Sequence, residues 1–391
     1  MTDSTPEMIL LTPGPTPLPA EVLEATGRQM TIHRGPEFGR IMREILAGLH
    51  EVFQTRHDII PLVSSGTGGL EASIVNFLSP GDRVLSVNNG HFCERYAEIA
   101  EQFGARVDRV TAEWGQPVPA EAVAARFRPG ARTKYRAVLV TQSETSTGVH
   151  NDVRAIRAAI GDSPALLLVD AISSMGAMPL ETDALGVDVA VTASQKALMS
   201  PPGMAFLSVS DRAWAAAEQA AIPRFYFDLR RGRTQIHTPV PGTPFTTAVG
   251  VAYAVHAALR LIHQEGLAHV YDRHRRMARM VRAGVRGMGL TPLADDAHAV
   301  DTVTAVRVPD GIDAKTVLAH AEDEYGVVFG GGIRRLEHTV VRIGHLGYTR
   351  VDWLLDGLRA LGRTLADLGH AVRTDAGLDA AQRTLEAAAK R

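Results

Sequence analysis

The chain is poor in several things, and each lack closes off a class of explanation. It has one cysteine, Cys93, in 391 residues, which excludes an intramolecular disulfide and any zinc cluster built on cysteines. It carries no excess of charge: 41 Lys and Arg against 43 Asp and Glu leave a formal charge of −2. Such a balance offers no electrostatic footprint for nucleic acid or an anionic membrane. Apolar stretches such as Ala165–Val169 fall far short of the ~20 residues that span a bilayer. There is no internal repeat of solenoid period and no low-complexity tract. The segment Met1–Met8 is polar and acidic, without a basic stretch leading into an apolar core, so no secretory signal is expected. The terminal Ala389-Lys390-Arg391 matches no targeting address. What remains, with 45% apolar and 21% charged residues, reads as a cytoplasmic globular protein of about two domains at ~150 residues each.

Periodicity then divides the chain. The prolines at 13, 15, 17 and 19 make residues 1–20 an extended arm. Ile41, Ile45, Leu46, Leu49 and Val52 recur at helical spacing. Short, nearly all-apolar runs follow at 59–63, 83–87, 105–110, 137–141, 165–170, 187–192 and 204–209, with helical stretches between them. That alternation predicts an α/β domain whose largely parallel sheet is covered on both faces. A helical region from about Thr247 to Met288, broken near Gly266, precedes a second block. That block has strands at 302–308, 326–329 and 339–343 and helices at 313–325 and 351–368, a smaller α+β unit. The expected division is an arm at 1–20, a large domain at 21–260 and a small domain at 261–391. The Ala-rich stretch 381–390 reads as a solvated helix, and Arg273-His274-Arg275-Arg276 as an exposed helix face.

Three features carry chemistry. Ser65-Gly66-Thr67-Gly68-Gly69 turns from a strand into a helix, where glycines allow close approach and the helix start offers free N–H groups to a phosphate. A plain glycine turn would read the same, and the spacing is neither that of a dinucleotide fold nor of a Walker loop. Asp170 ends the apolar run Leu166–Val169, on the sheet edge where α/β proteins bind ligands; many such aspartates only cap a helix. Lys196 follows the run 187–192 and is succeeded by Pro201-Pro202-Gly203. Partial burial there lowers an amine's pKa and makes it a nucleophile, although lysines commonly snorkel to solvent. Together a phosphate cradle, an acid and an amine suit one cofactor, pyridoxal 5′-phosphate, which needs the acid at its ring nitrogen and the lysine for a Schiff base.

At this point the chain resembles the class V (fold type I) aminotransferases, in the alanine–glyoxylate and serine–pyruvate branch. The matching stretches are Leu11–Thr16, His33–Phe38, Ser65–Ala72, Glu144–Val149, Val169-Asp170, Ser194–Gly203 and Arg342–Gly347, and Ser-Gln-Lys-Ala followed by Pro-Pro-Gly is the most specific. The resemblance implies a large domain with a mostly parallel sheet plus a smaller C-terminal α+β domain. It gives Lys196 the cofactor and the proton shuttle, Asp170 the ring nitrogen, and Thr67, Gly68 and Gly69 the phosphate with Gln195 beside it. It places Thr145 near the ring hydroxyl and the substrate, Phe92 against the ring, and Gly14 and Pro15 over the substrate. Thr243 and Thr246 resemble a segment that reaches the neighbouring subunit's phosphate site, which implies a homodimer. Phe92 stands where close relatives often carry tryptophan, so an indole N–H is lost while stacking survives.

Arg342 has support of its own. It interrupts the apolar run Val340-Val341-Arg342-Ile343, where an unpaired charge is costly, and its planar fork suits the substrate's α-carboxylate. A structural ion pair is the alternative. Residues 224–233 mix aromatics and arginines in a stretch read as a loop at the dimer rim, and Cys93 reads as a packed residue. The fifteen histidines show no metal spacing. The resulting expectation is an aminotransferase using alanine or serine with glyoxylate or pyruvate. A transaminase for an unusual amine such as pyridoxamine stands as the alternative. A cysteine desulfurase is disfavoured because no cysteine follows Cys93, and a non-catalytic phosphate-binding protein has no use for Asp170, Lys196 and Arg342 together.

Overall fold

A computed structural model describes residues 8–128, 130 and 134–389; the expectations for residues 1–7 and for Lys390-Arg391 lie outside these. Among the described residues seven strands form the larger sheet, in the spatial order Asp58–Val63, Met204–Val209, Val189–Ala193, Leu166–Asp170, Ala137–Thr141, Arg83–Asn88 and Arg106–Thr111. Met204–Val209 runs antiparallel to both of its neighbours, and the remaining pairs are parallel. The central strands are buried at every position, because helices cover both faces, and that is why they read as unbroken apolar runs. Helices Pro36–Phe53, Val153–Ile160 and Val249–Glu265 contribute to the core on one face. Helices Gly66–Val75, His91–Gln102 and Asp211–Ala217 close the other. Local capping fixes where several helices begin. Ser65, Asp152, Ser210 and Asp313 each accept a backbone N–H of the following turn, an arrangement worth about 1 kcal/mol per cap.

A second sheet orders Ile9–Leu11, Val327–Gly331, Val340–Gly344, Val303–Arg307 and Thr291–Pro292. The N-terminal segment therefore pairs, in parallel, with Val327–Phe329, and the chain then crosses to the larger sheet with Thr16 N–H bonded to Gln195 O. Helices Leu267–Gly287, Ala314–Tyr325, Val351–Asp367 and Thr374–Ala389 bury the core of this unit. The helical region expected at 247–288 does break at Gly266, whose φ is +81°.

Three local expectations are corrected. Helix Thr374–Ala389 is not merely solvated: Ala381 is fully buried, and the helix packs on Leu267–Gly287 through Gly284, Gly287, Gly377 and Ala380. Small residues let two backbones approach closely, and alanine content alone does not reveal whether a partner exists. His274 is not on an exposed face but fully buried, with Nδ1 bonded to Val270 O and Nε2 accepting the Gly347 N–H at 3.0 Å. Residues 229–236 form a helix capped by Asp228 rather than a loop.

Candidate active site

All three sequence features lie at the carboxyl ends of the parallel strands, where side chains leave the sheet without partners from a following strand. Asp170 is the last residue of its strand and is 4% exposed. Its carboxylate accepts the Ile172 N–H at 3.0 Å and the Thr141 hydroxyl at 3.4 Å, and no lysine or arginine among the described residues pairs with it. Burial pushes its pKa up to about 7, and the nearby Glu144 adds to the shift. Lys196 lies in the turn after Val189–Ala193. Burial pulls its ammonium down to about 8, helped by Arg342 and opposed by Asp170. Its Nζ donates to Pro13 O.

The arm holds this lysine from above. Gly14 has φ +114°, a conformation L side chains rarely take, and a Cβ there would sit 2.6–2.9 Å from Lys196 Cδ, Nζ and Cε. Thr16 Oγ1 donates to Lys196 O at 3.2 Å. The cradle is equally tight: a Cβ on Gly69 would meet Val191 Cγ1 at 2.7 Å, and one on Gly68 would overlap the Ser64 hydroxyl. Arg342, 9% exposed, extends from the second sheet. Its Nε donates to Gly331 O at 2.7 Å and its Nη1 to Thr145 O at 3.1 Å. It has no carboxylate partner among the described residues, so the ion-pair alternative finds no support. Burial lowers its pKa to about 10.

Thr67 and Phe92 are joined through a residue that the sequence reading passed over. Arg95 donates to Thr67 Oγ1 at 3.4 Å and lies 5.0 Å from the Phe92 ring centroid. The reading also missed Glu144 as an organiser. Fully buried, it accepts the Cys93 and Ser146 N–H groups and the Ser146 hydroxyl, tying the Thr145 loop to the start of helix His91–Gln102. A carboxylate at a helix N-terminus meets the positive end of its dipole. The available signal was an acid beside Thr145 and an amphipathic helix opening at Gly90. Thr243 and Thr246 are not part of this cluster within one chain. Thr243 bonds Phe245 O and Thr247, and Thr246 is exposed.

The sequence matches the profile of the family described as aminotransferase class-V over residues 8–351. The chain is a class-V aminotransferase. Relatives extend over nearly its whole length. An L-aspartate–glyoxylate aminotransferase of Paracoccus denitrificans is 39% identical, covering 98% of this chain and 96% of that one. A protein of Anabaena cylindrica called the soluble hydrogenase 42 kDa subunit is 38% identical over 96% and 98%. Among solved structures, the pyridoxamine–pyruvate aminotransferase of Mesorhizobium loti superposes with a TM-score of 0.93 at 30% identity, covering 99% of each chain. Class-V aminotransferases are enzymes that depend on pyridoxal 5′-phosphate, and the large sheet with its smaller companion is the type I fold of such transferases.

The residues of this aminotransferase fit that cofactor on three observations. Asp170 is a buried acid without a cation, as a protonated ring nitrogen requires. Gln195 Oε1 is buried with no partner among the described residues, an acceptor left for an N–H or O–H of a ligand. The cradle has room only for glycine at 68 and 69. A pH prediction follows for the cofactor-free protein. Asp170 binds its proton more tightly folded than unfolded, so its contribution to stability is full below its ordinary value near 4 and is lost as pH rises to about 7. Asp170→Asn is expected to remove that slope, by an amount on the order of a few kcal/mol. Thermal melts would show the variant gaining on the wild type between pH 5 and 7.5; a constant difference in Tm would contradict the assignment.

Proposed function

We propose that this enzyme transfers the amino group of a small L-amino acid, alanine or serine in the simplest case, to a 2-oxo acid such as glyoxylate or pyruvate, in two half-reactions of the ping-pong type. The observation that supports this most is the meeting of a half-buried amine and a buried acid at the carboxyl edge of the larger sheet with a buried guanidinium, without a carboxylate partner among the described residues, from the second sheet. When bound, the cofactor supplies an electron sink for the substrate's α-carbon. The chain's own residues do the rest. Arg342 holds the α-carboxylate and so presents the α-hydrogen to Lys196. With a pKa near 8, Lys196 Nζ takes that proton and returns one on the other side of the transfer. Asp170 stabilises a protonated ring nitrogen. Thr67, Gly68, Gly69 and Gln195 bind phosphate, and Phe92 stacks on the ring. Gly14 and Pro15 cover the substrate and exclude water.

We further infer a homodimer in which Thr243 and Thr246 serve the neighbouring site. Phe245 stacks on Phe225 and Tyr226, and the latter two stay exposed at 66% and 44%, an apolar patch of the kind interfaces cover. The division into large and small domains falls within helix Val249–Glu265 on this reading. The likeness to the pyridoxamine–pyruvate enzyme supports a second reading with an unusual amine donor. The hydrogenase name of the Anabaena relative gains no support from a chain whose one cysteine is buried, since metal–sulfur clusters need several thiolates. The test is the visible spectrum of the purified enzyme with single amines. Bleaching by L-alanine, L-serine or L-aspartate, with the matching 2-oxo acid released, is expected; bleaching by pyridoxamine alone would favour the second reading.

A further inference from the structure

Helix His91–Gln102 carries His91, Arg95 and Glu98 at i, i+4 and i+7, hence on one face. That face meets the other unit through the ion pair of Glu98 with Arg334 at 2.8 Å. His91 is 8% exposed, and its Nε2 lies 2.9 Å from Arg95 Nη2. A guanidinium only donates, so Nε2 accepts and the ring proton resides on Nδ1. This Nδ1–H is buried and has no acceptor among the described residues.

The neighbouring carboxylates are already engaged. Glu98 receives Arg334 Nη2 on both oxygens, and Glu144 is satisfied by Cys93 and Ser146. Arg334 sits at the rim with φ +52°, a left-handed backbone that costs an L residue energy and persists at sites with a reason for it. Its side chain is half-exposed, and its Nε and Nη1 make no hydrogen bond among the described residues. Besides burial, Arg95, Arg334 and Arg342 all lower the His91 pKa, to about 4, with Glu98 opposing them. This cationic corner adjoins the Arg342 clamp: His91 N–H donates to the Ser146 hydroxyl at 3.0 Å, next to Thr145, whose carbonyl accepts from Arg342, and Arg334 follows shortly after Gly331, the other carbonyl on Arg342.

We propose that His91 Nδ1–H and the Arg334 guanidinium form a second carboxylate subsite, so that the preferred amino donor is a short dicarboxylic L-amino acid. This rests on the aminotransferase reading above, with the donor's α-carboxylate on Arg342, and narrows its substrate class. The distal carboxylate accepts the unused N–H and shares the rim cation with Glu98, which satisfies a buried donor that alanine or serine leaves bare. Arg95 fixes the imidazole tautomer and acts as a positioning residue.

The test compares kcat/KM for L-aspartate and L-alanine with glyoxylate as acceptor, using the holoenzyme. The wild type should favour aspartate by about tenfold or more. Arg334→Gly suits the left-handed backbone and so folds; in it the aspartate-to-alanine ratio should fall by about tenfold, and His91→Leu should act in the same direction. Competitive inhibition by succinate, relative to propionate, should weaken in both variants. A wild-type ratio near one, or parallel loss of both donors as expected if His91 serves the cofactor, overturns the subsite while leaving the aminotransferase intact. Failure of every amino acid to bleach the visible band overturns both.

Discussion

Lys196→Ala is expected to lower kcat by roughly 10⁴-fold or more, the upper range for removing a positioned acid–base group, while leaving the fold in place. The reason lies in how the amine is held. A lysine in water is protonated at neutral pH and is neither nucleophile nor base. Burial among Pro13, Gly14 and Thr16 brings Lys196 down to about 8, so an appreciable neutral fraction exists near neutrality. Arg342 pushes in the same direction, because two cations share the cavity. The visible band of the loaded wild type should be absent or shifted in the variant, and the rate of cofactor loading in the wild type should rise with pH through about 8, as the neutral amine forms. Near-normal turnover in Lys196→Ala would remove the lysine from the chemistry. Loss of the band accompanied by a collapsed far-ultraviolet spectrum would mark a structural role instead.

Arg342 carries the second large effect, and here function and stability are expected to move in opposite directions. Its guanidinium is buried with two carbonyl partners and no carboxylate. The protein alone leaves a charge that costs energy and that only a bound anion compensates. Arg342→Met should therefore reduce kcat/KM by roughly 10²–10³-fold, the consequence of losing a buried charge pair worth about 3–4 kcal/mol. Much of that loss should appear in KM. The cofactor-free variant should at the same time melt at the same temperature or higher, because an apolar side chain suits the strand Val340–Gly344 better than an unpaired charge. Arg342→Lys keeps the charge but loses the fork and should fall between. A variant that melts several degrees lower with unchanged KM would show that the residue supports the sheet rather than the substrate.

Much of this site was legible because its parts sit at ends of apolar runs. Asp170 stands out because a charge directly follows an apolar run, Lys196 because it lies in the short polar turn after one, and Arg342 because a charge interrupts such a run. Burial there follows from local sequence. His91, Arg95 and Arg334 gave no such sign. Charged residues on an amphipathic helix read as a solvated face, and only the ion pair of Glu98 with Arg334 shows that this face meets the segment after Val327–Gly331. His274 was misread for the same reason: flanked by arginines, it nonetheless points inward and bonds Gly347 N–H. The tail helix was misread because alanine and glycine are equally at home against water and against another backbone.

The sequence alone therefore determined the order of strands and helices, the parallel sheet, the identity of the family and the three groups that could handle an amine, an acid and a carboxylate. The family follows from the motifs shared with its known members, and the rest from short-range periodicity and from charges placed where charges are expensive. Tertiary structure decided which of those groups meet. Gly14 and Thr16 reach Lys196 because the N-terminal arm crosses from one sheet to the other, and Arg342 reaches Thr145 because the second sheet packs against the first. Such contacts join residues some two hundred positions apart, and no local pattern encodes a distance across a cavity.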